Sequence, residues 1–331
     1  FAYLLPGADI AAMHALACKA RAAVLSLQEW PPEAGMRAGC DVAFGTWLEG
    51  EEAGSVMARH DTALMLAENS VAGLAEATAP GTKSPHSGET AWGNLLEQSL
   101  AQRRFQLIFY PVCRMDGALL HREAMLRMLP APGDTQPAGA LLSAGQFMPA
   151  ALRLGRMADC DLVAVDLALA QLKQLPGPIA VNISPRSLVD AAFLPRLEQA
   201  LASHHSLSQW LSFELSERGL EEHIDGLTAL SQVLSRHGCK LGIEHFGRQM
   251  AILPRLQALQ AHYLKVDGAF VADIDTNIGH QRLIRAMVDV ARGLEIEVYA
   301  EQVDNHAQWE ALEKLGILGV TGPAATQRMA G

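Results

Sequence analysis

Six short apolar runs in this chain each end in one polar residue: Glu123, Asn182, Glu214, Glu244, Lys265 and Glu301. The runs read LLHRE, IAVN, LSFE, KLGIE, HYLK and VYAE. Carboxylates and amides hold hard divalent cations, and a lysine neutralises phosphoryl charge. Metal-assisted phosphodiester hydrolysis needs ligands for one or two cations, a group that orients the attacking water, and a positive charge for the transition state. The six residues supply all of these types. At any single position a helix cap or a loop-facing polar residue is the better reading. Six together, with one lysine among them, point to a shared site.

What must bring them together is a barrel. Most of the runs are followed by a helix-compatible stretch, which predicts a (β/α)8 TIM-like fold with its site at the C-terminal ends of parallel strands. Upstream, a strand over Phe1–Leu5, a helix near Ile10–Leu27, a strand near Asp41–Trp47 and a helix near Ala53–Glu68 make half of an α/β unit. The segment from Thr78 to Thr90, TAPGTKSPHSGET, has turn residues and no periodicity and reads as a linker. The expected organisation is therefore residues 1–78, a linker over 79–91, and a barrel over 92–331, with a Pro/Gly-rich insertion at 130–139.

The chain has 331 residues, half of them apolar, and a formal charge of −10. That suffices for a large core and disfavours extended binding to DNA or RNA, which requires many phosphate-neutralising cations. No apolar run approaches the ~20 residues of a membrane span. The chain opens at Phe1 inside an expected strand without an initiator methionine and reads as a fragment, so any anchor is expected upstream. Cys18, Cys40, Cys113, Cys160 and Cys239 are scattered and never spaced as CxxC, which disfavours disulfides and structural zinc and fits a reducing compartment. His121-Arg122-Glu123 matches the H-x-E of zinc deaminases, but no P-C-x-x-C accompanies it. His204-His205 is expected in solvent.

Over residues 92–331 the chain resembles the EAL-domain cyclic di-GMP phosphodiesterases. The family's E-A-L-L-R is Glu123-Ala124-Met125-Leu126-Arg127, and its N-L-S-P is Asn182-Ile183-Ser184-Pro185. E-I-T-E appears as Glu214-Leu215-Ser216-Glu217, K-I-D as Lys265-Val266-Asp267, and A-E-G-V-E as Ala300-Glu301-Gln302-Val303-Asp304. The segment before it resembles the C-terminal part of a degenerate GGDEF domain, with Glu68-Asn69 departing from the usual lysine and glycine. The resemblance implies cyclic di-GMP at the barrel mouth, cations on Glu123, Asn182, Glu214 and Glu301, Lys265 near the attacking water, and Arg127 on a phosphate.

The departures carry as much weight. The D-D-F-G of active members is Glu244-His245-Phe246-Gly247, and the glycine loop after it is Gly247-Arg248-Gln249, although Glu217, which steadies that loop in the family, is kept. An added methylene at 244 displaces a carboxylate by more than the ~0.5 Å that preorganised catalysis tolerates, and an imidazole at 245 suits softer metals than magnesium. Tyr110-Pro111 and Thr321-Gly322-Pro323 replace Q-P and Q-G-Y. The expectation is a catalytically inactive receptor of the LapD type, with Glu123, Lys265, Glu244 and His245 as remnants of the catalytic set and no metal or cofactor required. Met125, Arg127, Asn182, Glu214, Asp267, Glu301, Gln302 and Pro323 are the expected ligand contacts. Magnesium or manganese enters only in the alternative of a slow phosphodiesterase, and a nucleotide-independent scaffold is the third reading. The resemblance further implies a homodimer, a protein partner reached through an upstream or signalling domain, and a place as the cytoplasmic portion of an inner-membrane protein.

Overall fold

The computed structural model describes residues 5–7, 9–25, 40, 42–51, 53–68, 74–77, 89–130, 141–175, 177–218, 220–249 and 252–330. In chain order the early elements are α1 (Ile10–Leu25), β1 (Val42–Phe44), α2 (Ala53–Glu68), β2 (Leu74–Glu76), α3 (Glu89–Ala101), β3 (Phe105–Arg114) and β4 (Leu119–Met128). Next come β5 (Leu142–Ser143), α4 (Ala144–Arg153), α5 (Met157–Gln174), β6 (Ile179–Asn182), α6 (Phe193–Ser203), α7 (His205–Ser208) and β7 (Leu211–Ser216). The chain continues through α8 (Ile224–Arg236), β8 (Lys240–Phe246), β9 (Tyr263–Val266), α9 (Gly268–Val271) and α10 (Ile278–Gly293). It closes with β10 (Glu297–Ala300), α11 (His306–Leu315), β11 (Gly319–Thr321) and α12 (Pro323–Ala330).

These elements gather into two compact units, one of residues 1–102 with 128–154, the other of 103–127 with 155–331. In the first, β1 and β2 pair in parallel, Val42 opposite Leu74. A largely buried ion pair braces the loop after β1: Arg59 Nη2 lies 2.7 Å from Glu51 Oε1 and donates to the Thr46 carbonyl at 3.1 Å. The expected helix over 10–27 and strand over 41–47 correspond to α1 and β1. The short strand β2 was not expected. Residues 1–4, 69–70, 78–88 and 131–140 lie outside the described set, so the expected first strand, Asn69 and most of the expected linker and insertion do too. Glu89 and Thr90, at the expected end of the linker, already belong to α3.

In the second unit eight strands close a barrel in the order β3–β11–β10–β9–β8–β7–β6–β4, with β4 returning to β3. Seven run parallel, but β3 pairs antiparallel with β11, Val320 opposite Cys113. The barrel therefore departs from an all-parallel (β/α)8 arrangement at β3. A parallel pair needs a long crossover, whereas β3 and β4 are joined by the tight turn Met115-Asp116-Gly117-Ala118. Asp116 Oδ1 accepts the Ala118 N–H at 2.9 Å, and Gly117 takes φ +90°, open to glycine at little cost.

The outer helices are held by apolar stripes. In α10 the buried set is Ile284, Met287, Val288 and Ala291, the i, i+3, i+4, i+7 spacing of one face. Asn277 caps that helix by accepting the His280 N–H, and Asn305 caps α11 by accepting from Gln308. Inside the barrel Tyr263 stacks on Tyr299 at 4.9 Å between ring centres. Only glycine fits the neighbouring strands there: a Cβ at Gly242 would sit 2.4 Å from the Tyr263 ring, and one at Gly319 would sit 2.9 Å from Tyr299. The five cysteines are free thiols.

Candidate functional site at the barrel mouth

All six strand-end residues stand at one end of the barrel, and strand alternation decides how. Side chains two apart share a face, so β4 sends His121, Glu123, Met125 and Arg127 the same way. On β9 the same rule places Tyr263 below Lys265. Register supplies the neighbours: Asn182 is opposite Glu214, and Tyr299 is opposite Lys265.

The first group is built around Lys265, which is 1% exposed. Its Nζ donates to Glu214 Oε2 at 2.6 Å and lies 3.2 Å from Glu123 Oε2. Glu214, fully buried, also accepts from the Tyr263 hydroxyl at 2.7 Å, with His121 Nε2 3.5 Å from the same oxygen. Burial alone would raise the Glu214 carboxyl, but the Lys265 ammonium and His121 hold it well below the ordinary carboxylate range. Burial works against the lysine charge too, yet Glu214 and Glu123 lift Lys265 above its ordinary value. At Glu123 burial prevails over Lys265, and its pKa is raised. Asn182 donates weakly to Met125 Sδ at 3.8 Å, and its buried Oδ1 has no partner among the described residues.

The second group sits on an irregularity of β8. Its pairing with β9 slips by one residue between Ile243 and Phe246, so Glu244 and His245 together oppose Lys265 in a bulge. His245 has φ +53°, a left-handed conformation uncommon for a residue with a Cβ. This turns two adjacent side chains toward the mouth where regular alternation would send one away. Glu301, one residue past β10, is engaged by residue 245 twice. Its Oε1 accepts the His245 backbone N–H at 3.0 Å, and its Oε2 lies 2.7 Å from His245 Nδ1. The second approach is a close ionic contact rather than a well-directed hydrogen bond. Asp267 Oδ2 is 3.6 Å from the same nitrogen. Burial would lower the imidazole, but Glu301, Glu244 and Asp267 lift it to about 9. Glu244 itself is pushed up by burial, with Glu301 and Glu214 adding to the effect against His245 and Lys265.

Past the bulge, Glu217 clamps the loop. Its Oε2 accepts the backbone N–H groups of Gly247, Arg248 and Gln249 at 3.0, 2.9 and 3.1 Å. That fixes Arg248, whose guanidinium forks onto both oxygens of Asp267. Burial would raise Asp267, but Arg248 and the Ala269 N–H hold it below its ordinary range.

Beside Glu123 an open cleft of about 650 Å³ is lined by Tyr110, Met125, Arg127, Thr321, Gly322, Pro323, Thr326 and Gln327. The Arg127 Nη1 donates to the Leu126 carbonyl at 3.0 Å, and its charge faces no carboxylate among the described residues.

Oxygen donors that lie close together suit a hard cation. Ligand atoms of Glu123, Glu214 and Glu244 lie within 4.8 Å of one another, and so, separately, do those of Glu244, His245 and Glu301. The first group, with the unpartnered Asn182 Oδ1 beside it, fits one such ion. The second does not: it offers an imidazole, and both oxygens of Glu301 are already taken by residue 245.

The structure thus gathers Glu123, Asn182, Glu214, Glu244, His245, Lys265 and Glu301 at the mouth, and Met125, Arg127 and Pro323 at the cleft. Asp267 instead serves as the N-cap of α9 and the partner of Arg248. Gln302, at φ +55°, lies against Gly268, where a Cβ would meet its Oε1 at 2.4 Å. Sequence reasoning did not anticipate Thr326 and Gln327 in the cleft, nor His121 and Tyr263 beneath Glu214. The latter two sit two residues before Glu123 and Lys265, a spacing that places them on the same faces. His121 is buried rather than deaminase-like, and of the His204-His205 pair only His205 is exposed. Among the described residues no helix is long and apolar enough to cross a membrane.

A family described as the EAL domain matches residues 94–327. The cyclic di-GMP phosphodiesterase PdeF of Escherichia coli K12 is 30% identical over 234 residues, 69% of this chain and 30% of PdeF. Among solved structures, an S helix-GGDEF-EAL chain of LapD from Vibrio cholerae, bound to c-di-GMP, aligns with a TM-score of 0.73 at 20% identity, over 83% of this chain and 66% of its own. The MucR phosphodiesterase of Pseudomonas aeruginosa, in complex with c-di-GMP, aligns with a TM-score of 0.61 at 28% identity, over 70% of this chain and 94% of its own. The chain spans about a third of the length of the curated relatives it matches.

Proposed function

The chain belongs to the EAL-domain family, and on that premise we propose that its barrel mouth is a receptor site for cyclic di-GMP that binds the nucleotide without cleaving it. The observation that carries this reading is a contrast at one mouth. The cleft keeps an arginine, apolar walls and a polar rim, while the second acid group is engaged by the chain's own residues. Binding a dianion needs a cation and walls; hydrolysis also needs both reacting oxygens stabilised in place. Arg127 contacts a phosphate, Met125 and Pro323 flank a guanine, and Glu123, Asn182, Glu214 and Lys265 persist as the polar floor. Relatives bound to c-di-GMP support the ligand.

Occupancy is passed to an attached signalling module. Residues 1–78 form the C-terminal part of a degenerate GGDEF-like domain, and a linker that ends before α3 at Glu89 leads to the degenerate EAL domain. The alignment with a GGDEF-EAL chain over 83% of this one supports that division. The protein acts as a homodimer at the cytoplasmic side of a membrane-anchored assembly. Calorimetry with cyclic di-GMP in EDTA tests the reading: saturable binding at micromolar nucleotide is expected, and its absence refutes it.

The oxygen-rich first group favours one alternative, a slow phosphodiesterase. A divalent cation on Glu123, Asn182, Glu214 and Glu244 would polarise a phosphoryl oxygen. Chromatography after long incubation with Mg²⁺ or Mn²⁺ decides: linear dinucleotide that disappears in Glu123→Ala establishes the alternative.

A further inference from the structure

We infer that the chain supplies the second positive centre of its own barrel mouth from two side chains, His245 and Arg248, so that the mouth admits one divalent cation and not two. Two acid groups share Glu244, and a divalent ion at either needs carboxylate oxygens free to turn toward it. In the second group the carboxylate not shared with the first, Glu301, is engaged by residue 245, and the carboxylate beside it is engaged as well. Glu301 gives one oxygen to the His245 backbone and the other to the His245 ring. Asp267, the next carboxylate, gives both oxygens to the Arg248 fork and one of them also to the Ala269 N–H. A guanidinium stays charged at every ordinary pH, and a bidentate fork is among the strongest contacts a carboxylate makes. An incoming ion would have to break it.

The arrangement is held from beneath rather than by chance rotamers. The bulge at 244–245 and the left-handed φ of His245 aim the ring at Glu301. Glu217 fixes three consecutive backbone N–H groups, which holds the Arg248 backbone where its side chain reaches Asp267. In the first group Glu214 is likewise engaged, by Tyr263 on one oxygen and Lys265 on the other, but Asn182 Oδ1 is buried without a partner among the described residues. Lys265 meets one oxygen each of Glu214 and Glu123, so Glu123 Oε1 and Glu244 stay with Asn182 as the donors an ion would find. A single ion there can hold a phosphate oxygen, but it cannot steady attacking and leaving oxygens together as a pair of ions does. On the non-cleaving reading proposed above, an occupied position and not merely missing ligands accounts for the loss.

The test counts manganese on the full chain without nucleotide, so it stands or falls independently of the cyclic di-GMP reading. Equilibrium dialysis and electron paramagnetic resonance should give at most one Mn²⁺ per chain, with the spectrum of an isolated ion. The double variant His245→Asp with Arg248→Ala should bind a second Mn²⁺ at least tenfold more tightly than the unaltered chain and show the spectrum of a coupled pair. If the double variant does not fold, His245→Asp alone is read the same way. A coupled pair in the unaltered chain overturns the inference, and so does a folded variant with no gain.

Discussion

The two sides of Glu244 are made of similar atoms and behave differently. On one side Glu123, Glu214 and Lys265 lie on regular strands, each at most 5% exposed, and every position is set by barrel register. On the other, His245 and Arg248 sit on a bulge and a loop, with side chains 41% and 31% exposed. The regular side cannot change one residue without leaving a buried charge alone. The irregular side can exchange an acid for a base, because a loop re-aims side chains and solvent screens what is left over. A change of chemistry is therefore expected to cost less on the second side.

The comparison is most severely tested at Lys265. Lys265→Met strands the Glu214 and Glu123 carboxylates in the interior, and removing one partner of a buried pair costs ~3–5 kcal/mol. Urea denaturation should show a loss of that size; a loss below about 1 kcal/mol would mean the regular side is not held by its charges.

A second test concerns the helix behind that side. Asp161 on α5 is buried, and its Oδ2 accepts from Ser184 N at 2.8 Å and Ser187 Oγ at 2.6 Å, just past Asn182. Burial, against those two hydrogen bonds, pushes its pKa from 3.8 up to about 7. A raised folded-state value means stability present below the unfolded pKa and lost as pH rises through the folded one. Stability from this group should therefore fall between about pH 4 and pH 8 by on the order of 2–4 kcal/mol. Asp161→Asn should flatten that slope in urea midpoints measured across the range, and an unchanged slope would remove Asp161 as its cause.

Smaller again is the clamp on the irregular side. Glu217→Ala removes the acceptor of three backbone N–H groups, and hydrogen bonds to a charged group contribute ~1.5–3 kcal/mol each before solvent takes over. At an edge that water can reach, a net loss of about 2 kcal/mol is expected, with faster amide exchange confined to residues 247–249. Exchange that spreads through β8 would show that loop and strand are one unit. Smallest in stability is Arg127→Ala, which should leave the melting temperature within a degree or two. It should nonetheless weaken cyclic di-GMP binding roughly tenfold to a hundredfold, as loss of a charge-assisted phosphate contact does.

Much of this was legible because strand ends and alternation are periodic. The polar residues closing LSFE and HYLK land where a barrel must put them, and Met125 and Arg127 follow from Glu123 by steps of two. What was not legible depended on a departure from period. Alternation would turn His245 away from Glu244; only the register slip against β9 brings it to Glu301. Asp267 reads as a ligand contact until the loop after β8 places Arg248 on it. The antiparallel β3 was encoded in Met115-Asp116-Gly117-Ala118, a turn too short for a crossover, which the repeat of strand and helix obscured. Thr326 and Gln327 enter the cleft from α12, a helix carrying no signal of its role.

The most direct test is diffraction at the manganese absorption edge from crystals grown with cyclic di-GMP and Mn²⁺. The account predicts an intact cyclic ligand contacting Arg127, His245 and Arg248 still on Glu301 and Asp267, and no pair of anomalous peaks. Two manganese ions flanking Glu244 beside a linear product would contradict it.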